Sequence, residues 1–139
     1  MFDQSTDTGK KVAARLRREL VIWLTSVGGD GTPFPTPVWF LWEDPTFLIY
    51  TQPGSLKLRN LAGNDRTALN LNSDEWGGSV VVFHGEAHPA PGEPAATLNP
   101  AYIAKYRQAI ADINMTPESF DGDFSTAIRF TPTHVRIEE

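Results

Sequence analysis

The sequence predicts an α+β domain built on a closed or nearly closed antiparallel barrel. Three observations carry this expectation. Six β-branched and aromatic runs recur between Gly, Pro and Asp turn signals, a few short helical segments punctuate them, and 139 residues suffice for one core and not for two. Closure is inferred from length, and no internal repeat is visible.

Residues 10–20, KKVAARLRREL, set Val12, Ala13, Leu16 and Leu20 on one side and bases on the other, the spacing of an amphipathic helix placed as a lid over a barrel end. Residues 21–27 (VIWLTSV) read as a strand, and GGDG at 28–31 supplies the positive-φ positions of a hairpin turn. Residues 34–43 (FPTPVWFLWE) form the second strand, Asp44-Pro45 the next turn and 46–52 (TFLIYTQ) the third strand of a meander. SLKLRNLAGN after Pro53-Gly54 is a short helix with Leu58 and Leu61 inward, ending at Gly63-Asn64. Strands follow at 66–73 and 79–88, separated by the acidic turn Asp74 to Gly78. Asn99-Pro100 caps a helix over 100–113 with Ile103, Tyr106, Ile110 and Ile113 on one stripe. A brief helix starting at TPES (116–119) and a last strand in STAIRFTPTHVRI, broken near Pro132, complete the chain.

Composition excludes several classes. Without cysteine there is no disulfide framework, thiolate nucleophile or cysteine-held metal. A net charge of −5 argues against a nucleic-acid partner, whose phosphates need a basic face. No run approaches a membrane span or a signal-peptide core, so a cytoplasmic protein is expected. Charge is unevenly placed: five of the twelve bases (Lys10, Lys11, Arg15, Arg17, Arg18) lie in the first twenty residues, while from Asp74 onward ten acids face four bases. This reads as a basic first helix and an acidic, solvated second half.

Two motifs carry chemistry. Pro33, Pro35 and Pro37 remove three successive donors from one strand edge, giving either an edge guarded against aggregation or an edge on which a flat ligand lies. In Gly54-Ser55-Leu56-Lys57-Leu58-Arg59-Asn60, two cations occupy the first turn of a helix, where the macrodipole disfavours them unless an anion is present. Either this is a solvated turn, or the Ser55 hydroxyl, Lys57, Arg59 and Asn60 form a phosphate cradle with the free N–H groups. The VWFLW strand is apolar on both faces, Val38, Phe40 and Trp42 on one and Trp39 and Leu41 on the other. A small barrel cannot bury both, so the second face is expected to meet a partner subunit or a ring-shaped ligand. His84, Glu86 and His88 share one strand face, but the two histidines are too far apart on a strand to share a metal, and rim histidines are the favoured reading. His134 and Arg136 read as a solvent-facing alternation on the last strand. No Ser-His-Asp order, Walker loop or GxGxxG stands out.

PTPVWF, LIYTQ, SLKLRNL, RTALNLN and the GEA strand, in this order over residues 10–137, resemble the split-barrel flavin- and deazaflavin-dependent oxidoreductases related to pyridoxamine 5'-phosphate oxidase. The likeness is closest to the short actinobacterial deazaflavin-dependent type. It implies a six-stranded antiparallel split β-barrel, the FMN-binding split barrel, with a few short helices. It also implies a homodimer with two equivalent sites between the subunits, as suits a chain too small to enclose a cofactor alone. Phosphate-binding positions then fall on Ser55, Lys57, Arg59 and Asn60, and ring-binding positions on Pro35, Thr36, Pro37, Val38, Trp39, Tyr50 and Thr51, with Trp76 as a contact from the second subunit. The implied cofactor is F420, with FMN as the alternative. An oligoglutamyl tail would suit the helix bearing Arg15, Arg17 and Arg18. The implied activity is hydride transfer between deazaflavin and a small organic substrate, the alternatives being an FMN-binding oxidoreductase of the same fold or a non-catalytic flavin-binding or storage protein. The long C-terminal substrate motif of true pyridoxamine phosphate oxidases has no match in FTPTHVRIEE. No catalytic residue or metal is assigned: a proton can come from solvent or a nearby hydroxyl, and none of Tyr50, His84 or His134 is given that role.

Overall fold

In the computed structural model, which describes residues 1–139, helix α1 (Asp7–Arg18) starts at Thr6, whose side chain accepts from the Gly9 N–H. Its buried face, Val12, Ala13 and Leu16, plugs one end of a curled sheet, as the amphipathic spacing predicts, whereas Leu20 lies past the end of the helix and is exposed. Strand β1 (Ile22–Val27) alternates buried and half-buried residues and pairs with β2 (Pro33–Val38), Val27 opposite Pro33, Thr25 opposite Pro35 and Trp23 opposite Pro37. The three prolines are exposed, and β2 is the last strand on its side of the sheet. The proline run therefore does mark a true edge.

The sequence predicts one strand over 34–43. The structure has two, β2 and β3 (Leu41–Glu43), and so seven strands instead of six. The physical cause lies at Phe40. Its N–H donates to the Tyr106 hydroxyl (2.8 Å), and its carbonyl accepts from the Lys105 ammonium (2.9 Å) and lies 3.0 Å from the Tyr106 oxygen. Side chains of α3 (Pro100–Asp112) thus take the backbone groups that a continuous ladder would have used. Beyond this corner β3 pairs with β4 (Thr46–Thr51), and the remaining strands are β5 (Arg66–Asn70), β6 (Val80–Pro89) and β7 (Thr126–Glu138). The order β2-β1-β5-β6-β7-β4-β3 puts the two halves of one extended run at opposite edges, which curls the sheet nearly closed. This is the expected α+β split barrel, with the strand count corrected.

Two apolar clusters result. Inside the barrel, Phe40, Phe47, Phe83 and Phe130 pack with Leu16, Ile22, Leu24 and Leu69. Outside, Leu41, Leu48, Tyr50 and Ala127 are covered by Tyr102, Tyr106 and Ile110 of α3 and Phe120 of α4 (Pro117–Asp123). The second face of VWFLW is covered in part within the chain: Trp39 stacks on Tyr106 (centroids 4.6 Å apart) and on Phe120 (5.5 Å). Trp39 itself stays half-buried and borders a cavity. The α3 stripe is also corrected, since Tyr102, Tyr106 and Ile110 are buried while Ile113 is exposed.

The break near Pro132 is a register shift opposite His84 and Gly85. A Cβ on Gly85 would come within 2.1 Å of the Thr131 carbonyl oxygen and 2.8 Å of Pro132 Cα, both backbone atoms. Gly85→Ala is thus expected to lower unfolding stability by about 1–3 kcal/mol, read as a reduced midpoint in urea. An unchanged midpoint would show that the two strands can part at the bulge without cost.

Candidate functional site

The cavity that matters chemically has a volume of about 320 Å³ and lies where the β2–β3 corner meets α2 (Leu56–Gly63) and the α3–α4 cover. Pro37, Val38 and Trp39 come from the corner, Tyr50 and Thr51 from the end of β4, and Lys57 from α2. Tyr102, Ile113, Phe120 and Phe124 complete an aromatic and aliphatic wall. A larger cavity of about 520 Å³ on the outer sheet face is lined by polar groups such as Thr25, Arg66, His84 and Glu86, and lacks this union of an apolar wall with a cation.

Lys57 is the pivotal group. It is half-buried, and burial alone lowers its pKa. Its ammonium donates to the Thr51 hydroxyl (2.9 Å) and forms no ion pair with any carboxylate. A partly desolvated cation at the end of an apolar slot favours an anionic ligand. Tyr50 differs: its hydroxyl donates to the Pro94 carbonyl (2.7 Å), and burial first, then the Glu93 and Glu43 charges, push its pKa up to about 12. It stays protonated near neutrality with its proton committed. Tyr102, absent from the sequence-derived site, has a fully buried hydroxyl without a partner, and burial drives its pKa upward. Only its neighbourhood could have revealed it, since on α3 it is one more apolar-stripe aromatic.

Of the positions expected from the sequence, the structure brings Pro37, Val38, Trp39, Tyr50, Thr51 and Lys57 together. Ser55 is the N-cap of α2 without a side-chain cap bond and stands 3.4 Å from the Thr51 hydroxyl, at the same end of the cavity. Arg59 and Asn60 lie elsewhere. Arg59, two residues after Lys57 on the helix, points away from it, and with Asn60 it lines a separate cavity of about 340 Å³ against the glycine turn 28–31. Asn60 is buried there and donates to the Ser26 hydroxyl (3.0 Å). Pro35 and Thr36 sit further along β2, opposite Thr25 and Leu24, outside the cavity lining. Trp76 is 88% exposed at the tip of the turn that Asp74 ties to the N–H groups of Trp76 and Gly78. On the basic helix, Arg15 is held by Glu19 and by the carbonyls of Asn72 and Ser79, and the Arg17 guanidinium lies over the Trp42 ring at 5.2 Å. His84 stacks on His134 (6.1 Å), whereas His88 turns to Asp65. No helix is long and apolar enough to cross a membrane.

A strand corner, a lysine on the following helix and a seven-strand curled sheet are the geometry on which the comparisons bear. The family model described as pyridoxamine 5'-phosphate oxidase matches residues 8–138. The chain belongs to the pyridoxamine 5'-phosphate oxidase family. Solved members of this fold place it in varied company. A Listeria innocua protein provisionally assigned as a pyridoxamine 5'-phosphate oxidase is 23% identical with a TM-score of 0.64, covering 92% of this chain and 95% of that one. An F420 reductase is 20% identical, with a TM-score of 0.66 and coverage of 88% and 94%. The haem storage protein HutZ of Vibrio cholerae is 16% identical, with a TM-score of 0.66 and coverage of 96% of both chains. At these identities the likeness is one of fold. No curated protein sequence matches this pyridoxamine 5'-phosphate oxidase family chain.

Proposed function

We propose that this chain is an F420-dependent oxidoreductase that transfers a hydride between the deazaflavin and a small organic substrate, acting as a homodimer with its sites between subunits. The observation that carries this reading is Lys57, a half-buried ammonium with no carboxylate partner, at one end of a slot walled by Pro37, Val38, Trp39 and Phe120. A planar ring with a phosphate-bearing tail fits that donor set. Trp39, already stacked on Tyr106 and Phe120, is a rigid wall, and Lys57 with the uncapped α2 N-terminus receives the anion. An F420 reductase with the same fold lends the cofactor its support. When bound, the deazaflavin supplies the hydride, and the protein binds, orients and excludes water. A cavity of about 320 Å³ lies at the small end of ligand pockets, which run from about 300 to 1,000 Å³. A tailed tricyclic cofactor therefore calls for a second wall, and a second copy of the chain provides it.

The test is a titration of the purified protein with F420 and with FMN, followed by Trp fluorescence, using Trp39→Phe to identify the reporting side chain. F420 is expected to quench Trp39 at micromolar concentration. Reduced F420 should then be oxidised by at least one of a panel of enones, quinones and nitroaromatics. Tighter binding of FMN transfers the reading to an FMN oxidoreductase, binding without turnover to a carrier, and binding of neither ends it.

A further inference from the structure

We infer that Asp65, Glu86 and His88 form a binding site for a divalent transition-metal ion of the zinc type, on the rim of the sheet and independent of the cofactor slot. Glu86 and His88 are two apart on β6 and so leave the strand on the same side. β5 pairs with β6 with Arg66 opposite Glu86, which sets Asp65, the residue before β5, beside them. Its position is fixed by two hydrogen bonds to its carbonyl, from the Ala87 N–H (2.9 Å) and the Thr67 hydroxyl (3.0 Å). Asp65 is thus fastened by its main chain between the two β6 side chains. One imidazole nitrogen and two carboxylate oxygens lie within 4.8 Å of one another, with His88 Nε2 already 2.9 Å from Asp65 Oδ2.

Asp65 has one partner that can carry positive charge, His88, and Glu86 has none. No Lys or Arg forms an ion pair with Asp65 or Glu86, and Arg66, the cross-strand partner of Glu86, leaves it unpaired. Zinc bonds of about 2.0–2.2 Å place tetrahedral ligand atoms about 3.4 Å apart, so separations of up to 4.8 Å have to close by as much as about 1.4 Å, while the His88–Asp65 pair at 2.9 Å opens by about 0.5 Å. Exposed Glu86 and His88 side chains can do this by rotation. An imidazole with two carboxylates suits zinc and its neighbours better than magnesium, which prefers oxygen ligands alone. Three protein ligands leave a fourth position, and Glu86 also borders the cavity of about 520 Å³, so water or a small anion completes the shell from that side. Residues four apart on a strand, such as His84 and His88, lie too far apart to share a metal, whereas the β5–β6 pairing brings Asp65 beside His88.

Calorimetric titration of tag-free protein with Zn²⁺ in a non-coordinating buffer tests the site. One ion per chain at micromolar affinity is expected, weakened roughly tenfold or more by His88→Ala and by His88→Gln, with His84→Ala unchanged and excess Mg²⁺ failing to compete. Circular dichroism on each variant confirms that it is folded; should His88→Ala unfold, His88→Gln carries the test. Absence of micromolar binding, equal binding by the folded His88 variants, loss of binding in His84→Ala, or displacement by Mg²⁺ would each overturn the assignment.

Discussion

Replacing Lys57 with methionine is expected to weaken binding of F420, and of FMN, by roughly tenfold to a hundredfold, because a charge-assisted contact contributes about 1.5–3 kcal/mol. Methionine keeps an unbranched stem against the slot and removes only the ammonium, so the loss reports the charge. The fold should tolerate the change. Burial already lowers the Lys57 pKa, which means that the folded state holds the charged form at a cost, and the variant is expected to melt at or above the parent temperature. Arg59→Met is the internal control. Arg59 is exposed and lines the other cavity, so its loss is expected to leave affinity nearly unchanged. Fluorescence titration of the two variants separates a single-cation site from the four-residue cradle that the motif suggests. Equal losses at both positions would restore that cradle, and no loss at Lys57 would remove the slot as the cofactor site.

Much of this arrangement is legible in the sequence because it rests on local chemistry. The proline run reads as an edge because a missing N–H is a property of the residue, whatever surrounds it. Lys57 stands out, as part of either a solvated turn or an anion cradle, because its place in the first turn of a helix is set by spacing. What the sequence hides depends on distant partners. Tyr106 is 66 residues from Phe40, and no local pattern tells that its hydroxyl ends one strand and begins another. The same applies to Trp39, whose stacking on Tyr106 of α3 and Phe120 of α4 no local pattern tells. Lys57 and Arg59 look alike as a sequence pair, yet helical geometry sends them to different cavities. Asp65 enters the His88 cluster only through the β5–β6 pairing.

Tyr106→Ala is expected to be the most damaging single change outside the barrel, lowering stability by about 3–5 kcal/mol as a buried aromatic is truncated. Two losses combine in it. The ring is fully buried between Trp39 and Tyr102, at centroid separations of 4.6 and 4.8 Å, so its removal opens a cavity under the slot. The hydroxyl accepts from the Phe40 N–H and is within 2.7 Å of the Leu20 carbonyl, so its removal also leaves a buried donor unpaired at the strand corner. Tyr106→Phe separates the two losses. It keeps the ring and removes only the hydroxyl, at about 1–3 kcal/mol for an unsatisfied buried group. The binding readout distinguishes packing from the corner. If Tyr106 serves the site by holding Trp39 flat, the phenylalanine variant binds cofactor as the parent does, whereas the alanine variant loses affinity even at temperatures where it is fully folded. If both variants bind alike, the slot does not depend on that ring, and the rigid wall under Trp39 is supplied by Phe120 alone.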